Sequence, residues 1–153
     1  MLRDGRDVAC SLRTHPRHQV EDGKLVPLHT WKPIAGCARR WRNDIEAAGP
    51  YWGDPRFHTV RYEELVSNPR PVLESLMNFL GEPWDEAMLA HAATGSPFRD
   101  VPRFAQNPEA LASVSMALLG RWQRDLDARD RRIFKRIAGT LLVEFGYAED
   151  AGW

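Results

Sequence analysis

An α/β fold, represented mostly by its helices, is what the sequence predicts, and three observations carry that expectation. Arg3 follows residues that read as the end of a strand, and Asp4-Gly5 turns the chain into a helix that carries Ser11 eight residues past Arg3. Phe57-His58-Thr59-Val60-Arg61-Tyr62 alternates and is rich in strand formers. Elsewhere apolar residues recur at three- and four-residue steps, the helical period. A lone strand cannot form a sheet, so its partners are expected upstream. The chain, residues 1–153, is therefore read as the C-terminal portion of a single domain of a larger α/β enzyme.

Each element follows from local chemistry. Val8, Ala9 and Leu12 give residues 5–14 an apolar helical face that stops near Pro16. From His15 to Pro33 the chain carries Pro16, Gly23, Pro27 and Pro33 among polar residues, which reads as an irregular, exposed excursion. Ile34, Cys37, Ala38, Trp41 and Ile45 make a helix that ends at Gly49-Pro50. Phe57–Tyr62 is the expected strand, and Glu63–Val66 a short turn of helix. Asn68-Pro69 reads as the start of a helix with Val72, Leu73, Leu76, Met77 and Leu80 on one face and Gly81 as its stop. Trp84–His91 reads as another short helix, and residues 94–108, with Gly95, Pro97, Pro102 and Pro108, as a long loop. A helix through Leu118, Leu119 and Trp122 follows. The last helix, 128–144, places Ile133, Ile137, Leu141 and Leu142 in a stripe. Trp41, Trp84 and Trp122 are expected in the core.

Composition narrows the function. Lys plus Arg (21) equals Asp plus Glu (21), so no global field favours nucleic acid, and any anion site must be a local cluster. The basic run Arg129, Arg131, Arg132, Lys135, Arg136 is interleaved with acids and reads as a solvated face. No apolar stretch approaches the roughly 18–20 residues of a membrane span. No signal peptide is visible, and a cytoplasmic location is expected. The two cysteines, Cys10 and Cys37, are expected as reduced, partly buried thiols, and no metal site is expected.

In open α/β sheets ligands bind at the carboxyl ends of strands. Arg3 through Ser11, with a guanidinium fork, a helix N-terminus and a hydroxyl, suits a phosphate there. Tyr62 and Glu63 offer polar groups at the end of the second strand. Three stretches in order then resemble the sulfotransferases that use 3′-phosphoadenosine-5′-phosphosulfate (PAPS), in their bacterial and tyrosylprotein-type branches. Arg3-Asp4-Gly5-Arg6-Asp7-Val8-Ala9-Cys10-Ser11 resembles the family's 3′-phosphate-binding segment. Arg61-Tyr62-Glu63-Glu64-Leu65-Val66, Asn68-Pro69 and Phe79-Leu80-Gly81-Glu82-Pro83-Trp84 resemble its second signature. Gly120-Arg121-Trp122 and Phe145-Gly146-Tyr147 resemble its C-terminal end.

The resemblance implies a P-loop-NTPase-like sulfotransferase domain, incomplete and mostly helical in this chain, with few parallel strands. It implies PAPS as co-substrate and its product 3′-phosphoadenosine-5′-phosphate (PAP) as ligand, with Arg3 and Ser11 on the 3′-phosphate. Tyr62 would contact the adenine-ribose part and Arg121 would support the phosphate. Gln106–Ser115 would line the cofactor, and the His15–Pro33 segment would face the acceptor, a small molecule, sugar or peptide. His15 stands where some relatives have a further phosphate-binding arginine, and Ser115-Met116-Ala117 where one branch has Arg-Lys-Gly. The family's Gly-rich 5′-phosphosulfate loop has no counterpart here. That loop and the catalytic base are expected upstream of Met1, in a chain read as truncated. The alternatives are a non-catalytic PAP-binding module and a helical interaction domain on the same scaffold.

Overall fold

The computed structural model describes residues 1–15, 17–22, 24–28, 31–90, 116–150 and 152–153. It divides into a unit of residues 1–2 and 58–117 and a unit of residues 3–57 and 118–153.

The larger unit is built on three helices: α1 (Gly5–Thr14), α2 (Ile34–Ala48) and the last helix, Ala128–Glu144. Asp4 caps α1 by accepting from Arg6 N at 2.8 Å, and Asp127 caps the last helix by accepting from Asp130 N at 2.7 Å. At the other end, His15 N donates to Ser11 O at 3.0 Å, and Pro16 follows. Ala9 and Cys10 of α1 pack with Ile34, Cys37, Ala38 and Trp41 of α2 and with Phe134, Ala138 and Leu142 of the last helix. In that helix the deeply buried stripe is Phe134, Ala138, Gly139 and Leu142. The expected Ile133, Ile137 and Leu141 flank it half-buried. Phe134 outranks Ile133 because it meets Trp41, ring centroids 6.0 Å apart. Gly5 lets α1 approach α2: a Cβ there would lie 2.4 Å from the Trp41 ring.

Two expectations about strands are corrected in the structure. The His15–Pro33 excursion contains an antiparallel hairpin, β1 (Arg17–Glu21) and β2 (Lys24–Leu28), in register Arg17↔Leu28 to Glu21↔Lys24. Asp22 has φ 50° and precedes Gly23, an Asp-Gly pair that favours a two-residue hairpin turn. The prolines masked that signal, yet Pro27 is tolerable on a strand with one free edge. Conversely, Phe57–Val60 forms no strand among the described residues. Alternation supplies a surface, and the segment pairs only at its end, through Val60 O and the Arg61 bridge among the described residues.

In the smaller unit Arg61 makes an isolated parallel bridge with Leu2. Leu2 N donates to Val60 O and Tyr62 N donates to Leu2 O, both at 2.8 Å. Two helices follow, α3 (Tyr62–Ser67) and α4 (Pro69–Leu80). Asn68 occupies the N-cap position of α4 without a capping side-chain bond; Pro69 sets the start by its fixed φ. Gly81, at φ 72°, ends α4 as expected. The helix expected at Trp84–His91 is a short 3₁₀ stretch, Glu86–Ala90, and His91 and the 94–108 loop lie outside the described residues. Trp84 is not core: it is half-exposed, its Nε1 donates to Glu86 and the Arg70 guanidinium lies 5.3 Å from its ring. Only Leu2 and Val66 of this unit are buried among the described residues.

The helix expected through Leu118–Trp122 is broken. Met116–Leu118 is 3₁₀, Gly120 turns at φ 67°, and α5 (Trp122–Asp125) follows; the helix at Ala128–Glu144 is α6. The fold is thus mostly helical, with one antiparallel pair and one parallel bridge among the described residues.

Candidate functional site

The residues nominated around α1 lie on an ordered frame within the larger unit. Arg3 precedes the helix and is half-buried; its Nη2 donates to Leu118 O at 3.2 Å, and its own carbonyl accepts from Trp41 Nε1 at 3.2 Å. Arg121 is half-buried, and its Nε donates to Asp125 Oδ2 at 2.7 Å. That bond, with a second from Arg124, holds the Asp125 carboxyl below its ordinary range. Ser11 is exposed on α1, and its hydroxyl makes no hydrogen bond among the described residues. Six residues beyond Gly5, Ser11 sits about 9 Å along the helix axis at 1.5 Å per residue. Cys10, next to Ser11, is pushed up to about 11 by burial, and the Arg121 charge acts in the opposite direction. Arg3, Arg121 and α1 thus belong to one neighbourhood.

Tyr62 belongs to the smaller unit, half-buried as the first residue of α3. Its position follows from the Leu2–Arg61 bridge, which fixes its backbone N–H. In sequence, Arg3 and Tyr62 are each the residue directly after a bridged one, the strand-end position expected of ligand contacts. A cleft of about 600 Å³ beside α3 and α4 includes His58, Arg61, Glu63 and Ser67 in its lining. Gln106–Ser115 lies outside the described residues. His15 is exposed at the end of α1, its carbonyl accepting from Lys32 Nζ at 3.1 Å.

At the α1 N-terminus the Asp4 side chain accepts from Arg6 N at 2.8 Å, which takes up that N–H group. Arg6 is likewise committed: it is 5% exposed, forks onto Asp4 at 2.7–3.1 Å and donates to Tyr147 O. Its guanidinium carbon lies 3.9 Å from the Trp122 ring centroid and 4.7 Å from that of Trp153.

Sequence reasoning passed over Asp7. Its carboxylate is 1% exposed and accepts from Gly120 N at 2.7 Å and Trp122 N at 3.0 Å. Burial raises its pKa, and the two backbone N–H groups oppose that rise. The available signal was an acid in the first turn of a helix together with a distant Gly-x-Trp, whose N–H groups need acceptors. Asp7 therefore ties the first motif to the last, 113 residues apart in sequence.

The sulfotransferase family model matches residues 1–86, more than half of the chain. The chain belongs to the sulfotransferase family. Along 96% of its length it is 25% identical to a protein-tyrosine sulfotransferase of Drosophila melanogaster, of which it spans 29%. The matched range includes both the Arg3–Ser11 and the Arg61–Trp84 signatures, and the relative's match extends to the Gly120–Trp122 region. Family membership implies a P-loop-like sulfotransferase fold, and the mostly helical chain with few strands is consistent with part of one. No group of three or more metal-ligating side chains occurs among the described residues. No described helix is long and apolar enough to cross a membrane.

Proposed function

We propose that the chain takes part in sulfuryl transfer from PAPS to a hydroxyl or amine, contributing the part of the site that holds the nucleotide's 3′-phosphate. What supports this reading is that Arg3, which leads into α1, and Arg121, close enough to act on Cys10 of α1, lie in the neighbourhood of the helix that carries Ser11, within a chain of the sulfotransferase family. The donor set suits a phosphate dianion: two guanidinium groups supply charged, directional donors, and a hydroxyl supplies a third. The acids nearby do not oppose it. Asp7 is turned onto backbone N–H groups and Asp125 onto Arg121 and Arg124.

In this reading Arg3 and Ser11 grip the phosphate, Arg121 supports it and Tyr62 contacts the adenine-ribose part. PAPS, when bound, supplies the activated sulfuryl group. Arg121 binds by exchanging part of its interaction with Asp125 for the phosphate, while Asp125 keeps the guanidinium oriented before the nucleotide arrives. The Drosophila relative is named for protein tyrosine, which favours a peptide hydroxyl as acceptor; a sugar or small molecule would use the same donor. A cleft of about 490 Å³ in the larger unit, with Arg13, Trp31, Asp127 and Asp130 in its lining, is available to an acceptor. Trp31 is 70% exposed there and stacks on the Arg13 guanidinium at 4.8 Å.

The test is a thermal melt of the 153-residue chain with PAP, with AMP as control, repeated on Arg3→Ala. A ligand at about a hundred times its dissociation constant adds roughly 2.7 kcal/mol, on the order of 5–10 °C for a chain of this size. The expected result is a shift with PAP, little with AMP and loss in Arg3→Ala. Equal shifts with both nucleotides, or none with either, would overturn the phosphate reading.

A further inference from the structure

We propose that Asp7 is a positioning residue for nucleotide recognition: its carboxylate fixes the Gly120–Trp122 turn so that Arg121 faces the 3′-phosphate. The inference rests on the phosphate reading of Arg121 given above, and deepens it by naming what holds Arg121 in place.

Three features make Asp7 specific to that task. Its two oxygens accept from the two N–H groups on either side of Arg121, Gly120 N on Oδ2 and Trp122 N on Oδ1. Pinning both neighbours fixes the direction in which the residue between them leaves the backbone. Second, a carboxylate offers an acceptor to each donor, whereas an asparagine offers one acceptor and turns an NH₂ group against the other N–H. Third, the turn is held from neighbouring positions as well. Arg3 donates to Leu118 O, and Arg6 stacks on Trp122. Residues 3, 6 and 7 of the first motif thus grip residues 118, 120 and 122, and Arg121 is the long cation among them. Asp7 is not a proton-transfer group, since it is buried and both oxygens are engaged.

The test compares PAP and AMP affinities by calorimetry for the unaltered chain, Asp7→Asn, Arg121→Ala and the double variant. Asp7→Asn is expected to lower PAP affinity by roughly tenfold to a hundredfold and to leave AMP affinity unchanged. In the Arg121→Ala background the same change is expected to cost less than about twofold, because its effect runs through Arg121. A second readout needs no nucleotide: the carboxyl titration of Asp125 by NMR, which is expected to move up in Asp7→Asn as Arg121 is released. Equal loss of PAP and AMP binding, additive losses in the double variant, or an unmoved Asp125 titration would each overturn the positioning role. If the unaltered chain shows no preference for PAP over AMP, the phosphate reading fails and the nucleotide role of Asp7 fails with it. A raised Asp125 titration in that case would assign Asp7 to the turn alone. Should Asp7→Asn not fold, Asp7→Glu, which keeps both acceptors but displaces them by a methylene, is read by the same measurements and is expected to lose part of the PAP preference.

Discussion

Arg6 ties several parts of the frame together. It is a buried cation that forks onto Asp4, reaches Tyr147 O and lies against Trp122 and Trp153. Arg6→Ala leaves the Asp4 carboxylate buried without that partner. Removing one member of a buried pair costs about 3–5 kcal/mol, so a urea melt is expected to show a large fall in midpoint. A midpoint within experimental error of the unaltered chain would show that the pair contributes nothing net. Asp125 sets a pH dependence. Its folded-state pKa lies below the ordinary 3.8, chiefly through the Arg121 hydrogen bond. Its contribution to stability is therefore complete above that ordinary value and is lost as pH falls through the folded pKa. Stability below about pH 4 is expected to decline less steeply in Arg121→Ala than in the unaltered chain, by melts on a pH series. The thiols belong to this scale too. Cys10 and Cys37 are free and buried, and burial raises both pKa values. Neither thiol is expected to react with a thiol reagent at pH 7 until the chain unfolds.

At the scale of elements, the approach of α1 to α2 is set by the absence of a side chain at Gly5. A methyl group there meets the Trp41 ring at 2.4–2.6 Å, and ring and backbone must shift. Gly5→Ala is expected to destabilise by about 1–3 kcal/mol through overpacking, although alanine favours helix at an open position. A neutral or stabilising result in chemical denaturation would mean that Trp41 has room to move. The end of α4 gives the opposite case. Gly81 has nothing within 4 Å of a Cβ but adopts φ 72°, so the cost of Gly81→Ala is conformational, about 1–2 kcal/mol. Gly120 follows the Gly81 case: nothing lies within 4 Å of a Cβ there, but its φ of 67° turns the chain toward α5 while its N–H donates to Asp7.

For the whole molecule, 21 basic and 21 acidic residues leave no net charge at pH 7. Self-repulsion is then least, so solubility is expected to pass through a minimum near neutrality and to rise on either side. Light scattering across pH 5–9 checks this; a flat profile would mean that local charge patterning dominates. Alone, the sequence determined the helices at 5–14, 34–48, 69–80 and 128–144, because amphipathic period, proline and glycine stops act locally. It also determined the family, since Arg3–Ser11 and Arg61–Trp84 are linear motifs. Tertiary structure alone decided three things. The 57–62 segment pairs only at its end, in the Leu2–Arg61 bridge among the described residues, because pairing needs a neighbour that alternation cannot provide. Phe134 rather than Ile133 enters the core because Trp41 faces it. And Asp7 joins motifs 113 residues apart, because a buried carboxylate finds its acceptor role only where the chain brings two backbone N–H groups to it.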